Sequence, residues 1–108
     1  IAHITGGGII DNFQRVLKAT GLGAQLDNLF EPLEVMQQLI ELGNVAPEDA
    51  YLYWNMGNGM LLVSDQNEAQ ALLNVAEQMG YEAQLAGQIT ADKKISLKTS
   101  IASLEGAL

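Results

Sequence analysis

Two glycine-rich segments are the parts of the sequence best suited to bind a ligand through the backbone. The first, Thr5-Gly6-Gly7-Gly8, lies between a predicted strand and a predicted helix. Backbone N–H groups at such a junction, together with the positive end of the helix dipole, favour an anion. Glycine lets a phosphate approach the backbone closely, and the hydroxyl of Thr5 adds a donor. The pattern is compatible with a phosphate site and also with an ordinary turn.

The spacing of this first segment favours turn chemistry over an anion site. A Walker loop requires a lysine directly after its last glycine, and this chain has Ile9 there. The dinucleotide fingerprint needs its third glycine further along the chain than Gly8. Both alternatives stay open at this point.

The second glycine-rich segment, residues 55–59, contains Asn55, Gly57 and Gly59 and predicts a tight loop. Turn chemistry explains the asparagines and glycines. It does not explain Trp54 before the loop or the methionines around it.

His3 is the only histidine, which excludes a site built from several histidines. No Gly-x-Ser-x-Gly elbow accompanies it, so a serine triad is not predicted. His3 is therefore either a proton-handling group or a histidine at a strand edge with a satisfied hydrogen bond. The chain has no cysteine, and its carboxylates are scattered singly, so we predict no metal ligands.

Composition and charge narrow the class of protein. The chain has 108 residues, of which 48% are hydrophobic and 17% charged, as expected for a single globular domain. The net charge is −8, and no basic residue lies between Ala19 and Asp92. Such a surface repels nucleic acid and anionic membranes, so neither is an expected partner. No apolar run approaches the ~20 residues of a membrane span, and no signal peptide is recognisable, so we expect a soluble, cytoplasmic protein.

Hydrophobic periodicity predicts alternating strands and helices, which favours a layered α/β or α+β domain. The predicted strands are residues 1–5, 24–30, 60–63 (as a buried strand), 81–89 and 95–99. Four helices are predicted. The first covers residues 9–17, and the third covers residues 47–54. The second has Pro32 in its first turn and ends at Gly43 and Asn44, and the fourth runs from a cap at Ser64 or Asp65 to Gly80. Residues 100–108 carry no strong signal, and we expect them to fray.

Several segments resemble the C-terminal domain of aminoimidazole ribonucleotide synthetase, also called phosphoribosylformylglycinamidine cyclo-ligase. The segment from Ala2 to Gly8 (AHITGGG), followed by Asn12 and by Arg15 to Leu17, resembles the opening of that domain. The resemblance extends to about Thr99, and is carried further by Asp27, Gly43-Asn44-Val45, Tyr51, Asn55-x-Gly57-x-Gly59-Met60 and Gly87. The chain departs from the family at Gln14, where proline is usual, at Leu52, where arginine is usual, and at Trp54, where phenylalanine is common.

The resemblance implies a mixed sheet of about four strands with flanking helices, and an activity. The family enzyme uses ATP and magnesium to close formylglycinamidine ribonucleotide into aminoimidazole ribonucleotide, a step of purine biosynthesis. Its N-terminal domain carries most nucleotide and metal contacts and forms the homodimer. On this reading residues 1–99 are the C-terminal-type domain, residues 100–108 are a tail, and the N-terminal ATP-binding domain is absent from this chain. The chain starts inside a predicted strand, so we expect it to be a piece of a longer protein, inactive alone and binding neither ATP nor magnesium by itself.

The resemblance also assigns roles to residues. Thr5, Gly6, Gly7 and Gly8 would bind a phosphate of the phosphorylated substrate or of the nucleotide. Asn55, Gly57 and Gly59 would form a second wall, and His3 would be a catalytic, proton-handling group. An apolar patch that the missing domain covers is expected at a set of aromatic and methionine residues: Tyr51, Tyr53, Trp54, Met56 and Met60.

Two alternatives remain beside this reading. The departures from the family pattern leave room for a non-catalytic or divergent domain of the same fold that binds a phosphorylated metabolite or a partner protein. Another ATP-dependent kinase or synthetase of the same superfamily is the third alternative.

Overall fold

The computed structural model of the chain describes residues 1–107. Its elements in chain order are β1 (Ala2–His3), α1 (Gly8–Leu17), β2 (Gly23–Leu26), α2 (Glu34–Gly43), α3 (Pro47–Tyr53), β3 (Met60–Leu61), a 3₁₀ turn (Gln66–Glu68), α4 (Ala69–Gln78), β4 (Gly87–Thr90), β5 (Lys94–Lys98) and β6 (Ser103–Ala107).

Four of the strands form a mixed sheet in the order β4-β2-β5-β6. Strand β2 is antiparallel to β4 and parallel to β5, with Leu26 opposite Leu97. Strand β6 is antiparallel to β5. The other two strands, β1 and β3, pair antiparallel with each other. The predicted layered α+β domain with a mixed four-stranded sheet is confirmed.

The core lies between α1, α3 and the four-stranded sheet. Helix α1 buries Ile9, Phe13 and Leu17, which recur at the helical spacing read from the sequence. Strand β5 alternates in burial, with Ile95 and Leu97 inward. This packing fixes the start of α1 relative to the end of α3, and the glycine-rich segments lie at that junction.

The strand predicted for residues 81–89 is wrong except at its end, because β4 covers only Gly87–Thr90. Its partner β2 ends at Leu26, where the N–H groups of Asp27 and Asn28 both donate to Ala86 O instead of continuing a ladder. The opposite error occurs near the C-terminus. Residues 103–107 form β6 because the free edge of β5 offers a complete set of backbone partners. Leu108 lies outside the described residues, and the division of the chain after residue 99 stays a prediction.

Three further boundaries differ from the sequence prediction. Strand β3 covers two residues, and of the predicted buried strand only Leu61 is buried, while Met60, Leu62 and Val63 are exposed. Helix α2 begins at Glu34, so Pro32 precedes its first turn. Neither Ser64 nor Asp65 caps α4, since no side-chain cap bond forms at the 3₁₀ turn before it.

The predicted apolar patch is only partly correct. Tyr51 and Met56 are completely buried, so they cannot contribute to a docking surface. Tyr53 and Met60 are exposed and Trp54 is half-buried. Helices α2 and α4 contain no buried residue. Within residues 1–107, no helix combines the length and apolar character that crossing a bilayer requires.

Candidate ligand-binding site

The fold brings the two glycine-rich segments together. In the β1–β3 pair His3 lies opposite Met60, and Ile4 N–H donates to Gly59 O at 2.9 Å. The Thr5–Gly8 turn therefore follows directly from a backbone contact with the end of the second loop. Sequence spacing could not establish this neighbourhood, because residues 9–54 separate the two segments.

Asn12 organises the first glycine turn from inside the protein. Its side-chain Nδ2 donates to Gly8 O at 2.7 Å and to Thr5 O and Gly6 O at 3.3 Å each. Its Oδ1 accepts from the Thr5 hydroxyl at 3.3 Å. Asn12 is buried, so these contacts replace water for every carbonyl they reach.

The carbonyls held by Asn12 determine where the neighbouring N–H groups point. In a trans peptide the C=O of one residue and the N–H of the next point in opposite directions. Because Thr5 O and Gly6 O turn inward to Asn12, the N–H groups of Gly6 and Gly7 turn away from it. Residues 1–107 supply no acceptor for these two N–H groups, whereas Gly8 N–H donates to Thr5 O at 3.1 Å. The turn thus presents two free donors at the start of α1.

The three glycines of this turn have different structural needs. Gly7 has a φ of 97° and Gly8 a φ of 71°, both left-handed. A Cβ on Gly8 would clash with the backbone carbonyl oxygen of Tyr51. Gly6 has neither restriction, because its φ is not left-handed and no atom lies within 4 Å of where its Cβ would be. Gly59, across the contact with Ile4, is equally unrestricted.

The second loop is a turn with its own internal hydrogen bonds. Asn58 N–H donates to Asn55 O at 2.9 Å, and the central residues Met56 and Gly57 have φ values of 52° and 88°, as a type I′ turn requires. The side chain of Asn55 accepts from Gly57 N–H at 3.0 Å. A Cβ on Gly57 would face Glu31 O at 3.5 Å. Of the three residues predicted as a second wall, Gly59 is hydrogen-bonded to the residue that leads into the first segment. Asn55 and Gly57 form hydrogen bonds within the second turn itself.

Asn58 joins the second loop to the rest of the domain. It is buried; its Oδ1 accepts from Phe30 N–H at 3.0 Å, and its Nδ2 donates to Met56 O at 3.2 Å. Neither Asn12 nor Asn58 was predicted from the sequence as a site residue. Asn12 did carry a signal, since it is a polar residue on the apolar face of α1.

His3 lies on the exposed side of β1, since Ala2 and Ile4 on either side of it are buried. It therefore faces solvent rather than the core. Its catalytic role stays a prediction.

A carboxylate stands close to the glycine turn. Asp11 Oδ2 lies 2.5 Å from where a Cβ on Gly7 would be. Arg15 Nη2 contacts that oxygen at 2.9 Å, and Gln14 Nε2 donates to Asp11 Oδ1 at 3.1 Å. Arg15 thereby offsets the charge that would otherwise oppose an anion at the two free N–H groups.

The same residues do not fit a magnesium site. Within the part of the chain that the structure describes, no three His, Asp or Glu side chains come together as metal ligands. Magnesium prefers octahedral oxygen ligands, commonly carboxylates and phosphates.

Tyr51 connects the glycine turn to the opposite side of the domain. Its backbone carbonyl packs against Gly8, while its side chain is fully buried. Among residues 1–107 its hydroxyl finds no hydrogen-bond partner. Burial raises the pKa of the Tyr51 phenol above its ordinary value of 10.0, Glu31 adds to this effect, and the hydroxyl of Thr99 opposes it.

Replacing Tyr51 by phenylalanine should therefore stabilise the protein by about 1 kcal/mol at neutral pH, because it removes a buried unpaired hydroxyl. The raised pKa means that the unfolded chain loses this proton before the folded protein does. Wild-type stability should fall as the pH rises above 10.0, and that component should be missing in Tyr51→Phe. Urea denaturation at neutral and alkaline pH measures both effects, with Tyr53→Phe at an exposed tyrosine as the control. A marked loss of stability in Tyr51→Phe would mean that the hydroxyl is paired.

The structure thus defines a mixed α+β sheet domain whose strand–helix junction presents free backbone N–H donors. Comparison with known proteins makes the assignment specific. Residues 1–100 match the family model described as AIR synthase related protein, C-terminal domain, and the chain belongs to that family.

Several similar curated proteins carry the same name. The chain is 37% identical over 97 residues to the phosphoribosylformylglycinamidine cyclo-ligase of Geobacillus sp. (strain WCH70), covering 89% of this chain and 28% of the relative. It is 36% identical over 99 residues to that of Methanobrevibacter smithii, covering 92% and 28%. It is 38% identical over 89 residues to that of Methanopyrus kandleri, covering 82% and 25%. The chain thus spans about a quarter of the length of these relatives.

Proposed function

We propose that this chain is the C-terminal domain of an ATP-dependent cyclo-ligase that converts formylglycinamidine ribonucleotide into aminoimidazole ribonucleotide in purine biosynthesis. Family membership and the shared name of the relatives support the proposal. The observation that links the proposed function to a site is the presence of glycine at positions 6 and 59. Gly59 accepts from Ile4 N–H, Gly6 follows Ile4 by two residues, and neither position needs glycine for the fold. Close approach of a ligand to the backbone is a reason for glycine at such positions.

In this proposal the chain binds and orients a phosphate of the substrate or the nucleotide. The N–H groups of Gly6 and Gly7 donate to phosphate oxygens, and the dipole of α1 adds to the attraction. Thr5 and Asn12 hold the turn in the conformation that exposes those donors. His3, on the exposed side of β1, would exchange a proton with the reacting group.

Other parts of the enzyme are proposed to lie outside this chain. We propose that an N-terminal domain of the full-length protein binds ATP and magnesium and forms a homodimer. We also propose that the full-length protein is cytoplasmic. Since this chain spans about a quarter of its relatives, the purified chain should not release ADP in a reaction that depends on formylglycinamidine ribonucleotide. A coupled ADP assay measures this, and substrate-dependent ADP release by the chain alone would contradict the division of labour.

The phosphate site can be tested on the chain itself. We expect inorganic phosphate to bind with a dissociation constant on the order of 1 mM, equivalent to about −4 kcal/mol. Amide NMR should show the signals of residues 5–10 moving first. The net charge of −8 opposes binding, but salt screens it over about 8 Å whereas the N–H donors act at contact distance.

Gly6→Val is the discriminating variant. It should abolish the phosphate-induced shifts without lowering stability, because a Cβ at position 6 faces open space. Gly7 is a poorer probe, since its left-handed φ would strain any replacement. Ala83→Val, at an exposed position outside the strands and helices, is the control and should leave the shifts intact. If the amides of residues 55–59 move while those of residues 5–10 do not, the two loops have the opposite roles.

A further inference from the structure

A pocket of about 390 Å³ opens where the parallel strands β2 and β5 end. Residues 27–32 after β2, residues 98–100 at the end of β5, and Tyr51 line it. Ligands of α/β sheets commonly bind at the carboxyl ends of parallel strands, and the volume is within the range of small-molecule sites. The lining includes no residue of the glycine turn.

The Tyr51 hydroxyl is an unexplained polar group at this pocket. It is buried and has no partner, although buried hydroxyls are normally hydrogen-bonded. Its neighbour Thr99 is already engaged, because Thr99 Oγ1 donates to Ala102 O at 3.1 Å and accepts from Ala102 N–H at 3.0 Å. The two side chains that influence the hydroxyl, Thr99 and Glu31, both line the pocket. Tyr51 therefore lines the pocket together with both of these polar neighbours, while its hydroxyl oxygen itself is not accessible from the pocket.

The pocket is also lined by residues of opposite charge that form no ion pair with each other. Asp27 follows β2 and Lys98 ends β5, directly beyond the opposed residues Leu26 and Leu97. The ion pairs among residues 1–107 are Arg15–Asp11 and Lys94–Glu105, so neither Asp27 nor Lys98 is in one. The carboxylate of Glu31 adds a second negative charge and accepts from the Ser100 hydroxyl at 2.8 Å.

We propose that this pocket binds a small zwitterion of the amino-acid class. Its ammonium group faces Asp27 and Glu31, and its carboxylate faces Lys98. The wall formed by Leu29, Phe30 and Pro32 receives an apolar side chain. A ligand with only a negative charge is disfavoured by the two carboxylates and by the net charge of −8.

The test uses L-leucine and two analogues that each lack one of its charges. The compound 3-methylbutan-1-amine lacks the carboxylate, and 4-methylpentanoate lacks the amine. In amide NMR titrations, leucine should shift the signals of residues 27–31 and 98–100, and each analogue should bind at least about tenfold more weakly. Absence of leucine-induced shifts up to tens of millimolar, roughly the limit of weak specific binding, would overturn the proposal. Equal affinity for 4-methylpentanoate would overturn it too, since the pocket would then be a simple anion site.

Variants separate this pocket from surface effects. Asp27→Asn and Lys98→Met should each weaken leucine binding about tenfold. Lys18→Met, which removes an exposed charge beyond the end of α1, is the control and should leave the affinity unchanged. Unchanged affinity in Asp27→Asn or Lys98→Met would contradict the assigned contacts. The phosphate titration reads out residues 5–10, so failure of one site is distinguishable from failure of the other.

Discussion

Replacing Asn12 by aspartate is expected to lower the free energy of unfolding by about 3 kcal/mol at neutral pH, although the two side chains have nearly the same shape. The amide Nδ2 donates to three carbonyl oxygens, at 2.7 to 3.3 Å. A carboxylate has no proton to donate and would place a negative charge among those oxygens in a buried position. Urea denaturation of the variant and the wild type measures the difference.

The loss in Asn12→Asp should depend on pH in a defined direction. Burial and three facing carbonyls favour the neutral acid, so the pKa of the introduced carboxyl group in the folded variant should lie above its unfolded value of about 3.9. The variant should therefore recover stability relative to the wild type as the pH falls to about 4, and lose it again as the pH rises through the folded pKa.

Asn74→Asp on the exposed face of α4 is the matched control, because Asn74 accepts from Gln70 at 3.0 Å through an oxygen that aspartate retains. It should change stability by less than about 0.5 kcal/mol. If Asn12→Asp unfolds at the same urea concentration as the wild type, Asn12 does not hold the turn.

The sequence was most informative where local periodicity and tertiary packing agree. Helix α1 shows an apolar repeat that burial in the structure matches, and α3 begins at Pro47 as a proline at the first helical position predicts. Helices α2 and α4 also have apolar repeats, yet none of their residues is buried. Periodicity predicts the element, whereas burial depends on what packs against it.

Strand β6 shows the opposite limit of prediction from sequence, because it forms a strand although its residues have weak strand propensity. Residues 103–107 include a glycine, a serine and a glutamate, which are weak strand formers. They pair along the full length of β5, because a free sheet edge stabilises a segment whose own propensity is low. Non-local pairing of this kind is not encoded in the local pattern.

The candidate site, too, could be predicted from the sequence only in part. The glycines of the site could be predicted from the sequence because glycines seldom occur so close together. Thr5 could be predicted because it directly precedes three of them. The meeting of the two loops depends on the pairing of β1 with β3, which the sequence did not specify. The buried asparagines that hold both loops, Asn12 and Asn58, were not predicted as site residues, because the fold determines their hydrogen-bond partners.

Gly8→Ala is expected to lower the free energy of unfolding by about 3 kcal/mol, while Gly6→Ala two positions earlier leaves it within about 0.5 kcal/mol of the wild type. Alanine at position 8 would adopt a φ of 71°, which costs an L-residue about 1–2 kcal/mol. Its methyl group would also meet the Tyr51 carbonyl oxygen, a backbone atom of α3 that moves only if α1 and α3 separate. That second contribution is of the size seen when a packed core is overfilled, about 1–3 kcal/mol.

The comparison of these two alanine variants distinguishes a structural glycine from a ligand-facing one. Gly6→Ala meets no atom within 4 Å and needs no left-handed φ, so equilibrium unfolding in urea should not change. The added methyl does lie beside the N–H group of Gly6, where phosphate is proposed to approach, so phosphate affinity should fall although stability does not. Equal destabilisation of both variants would show that the whole turn is structurally constrained, and the glycine at position 6 would then give no support to a ligand site.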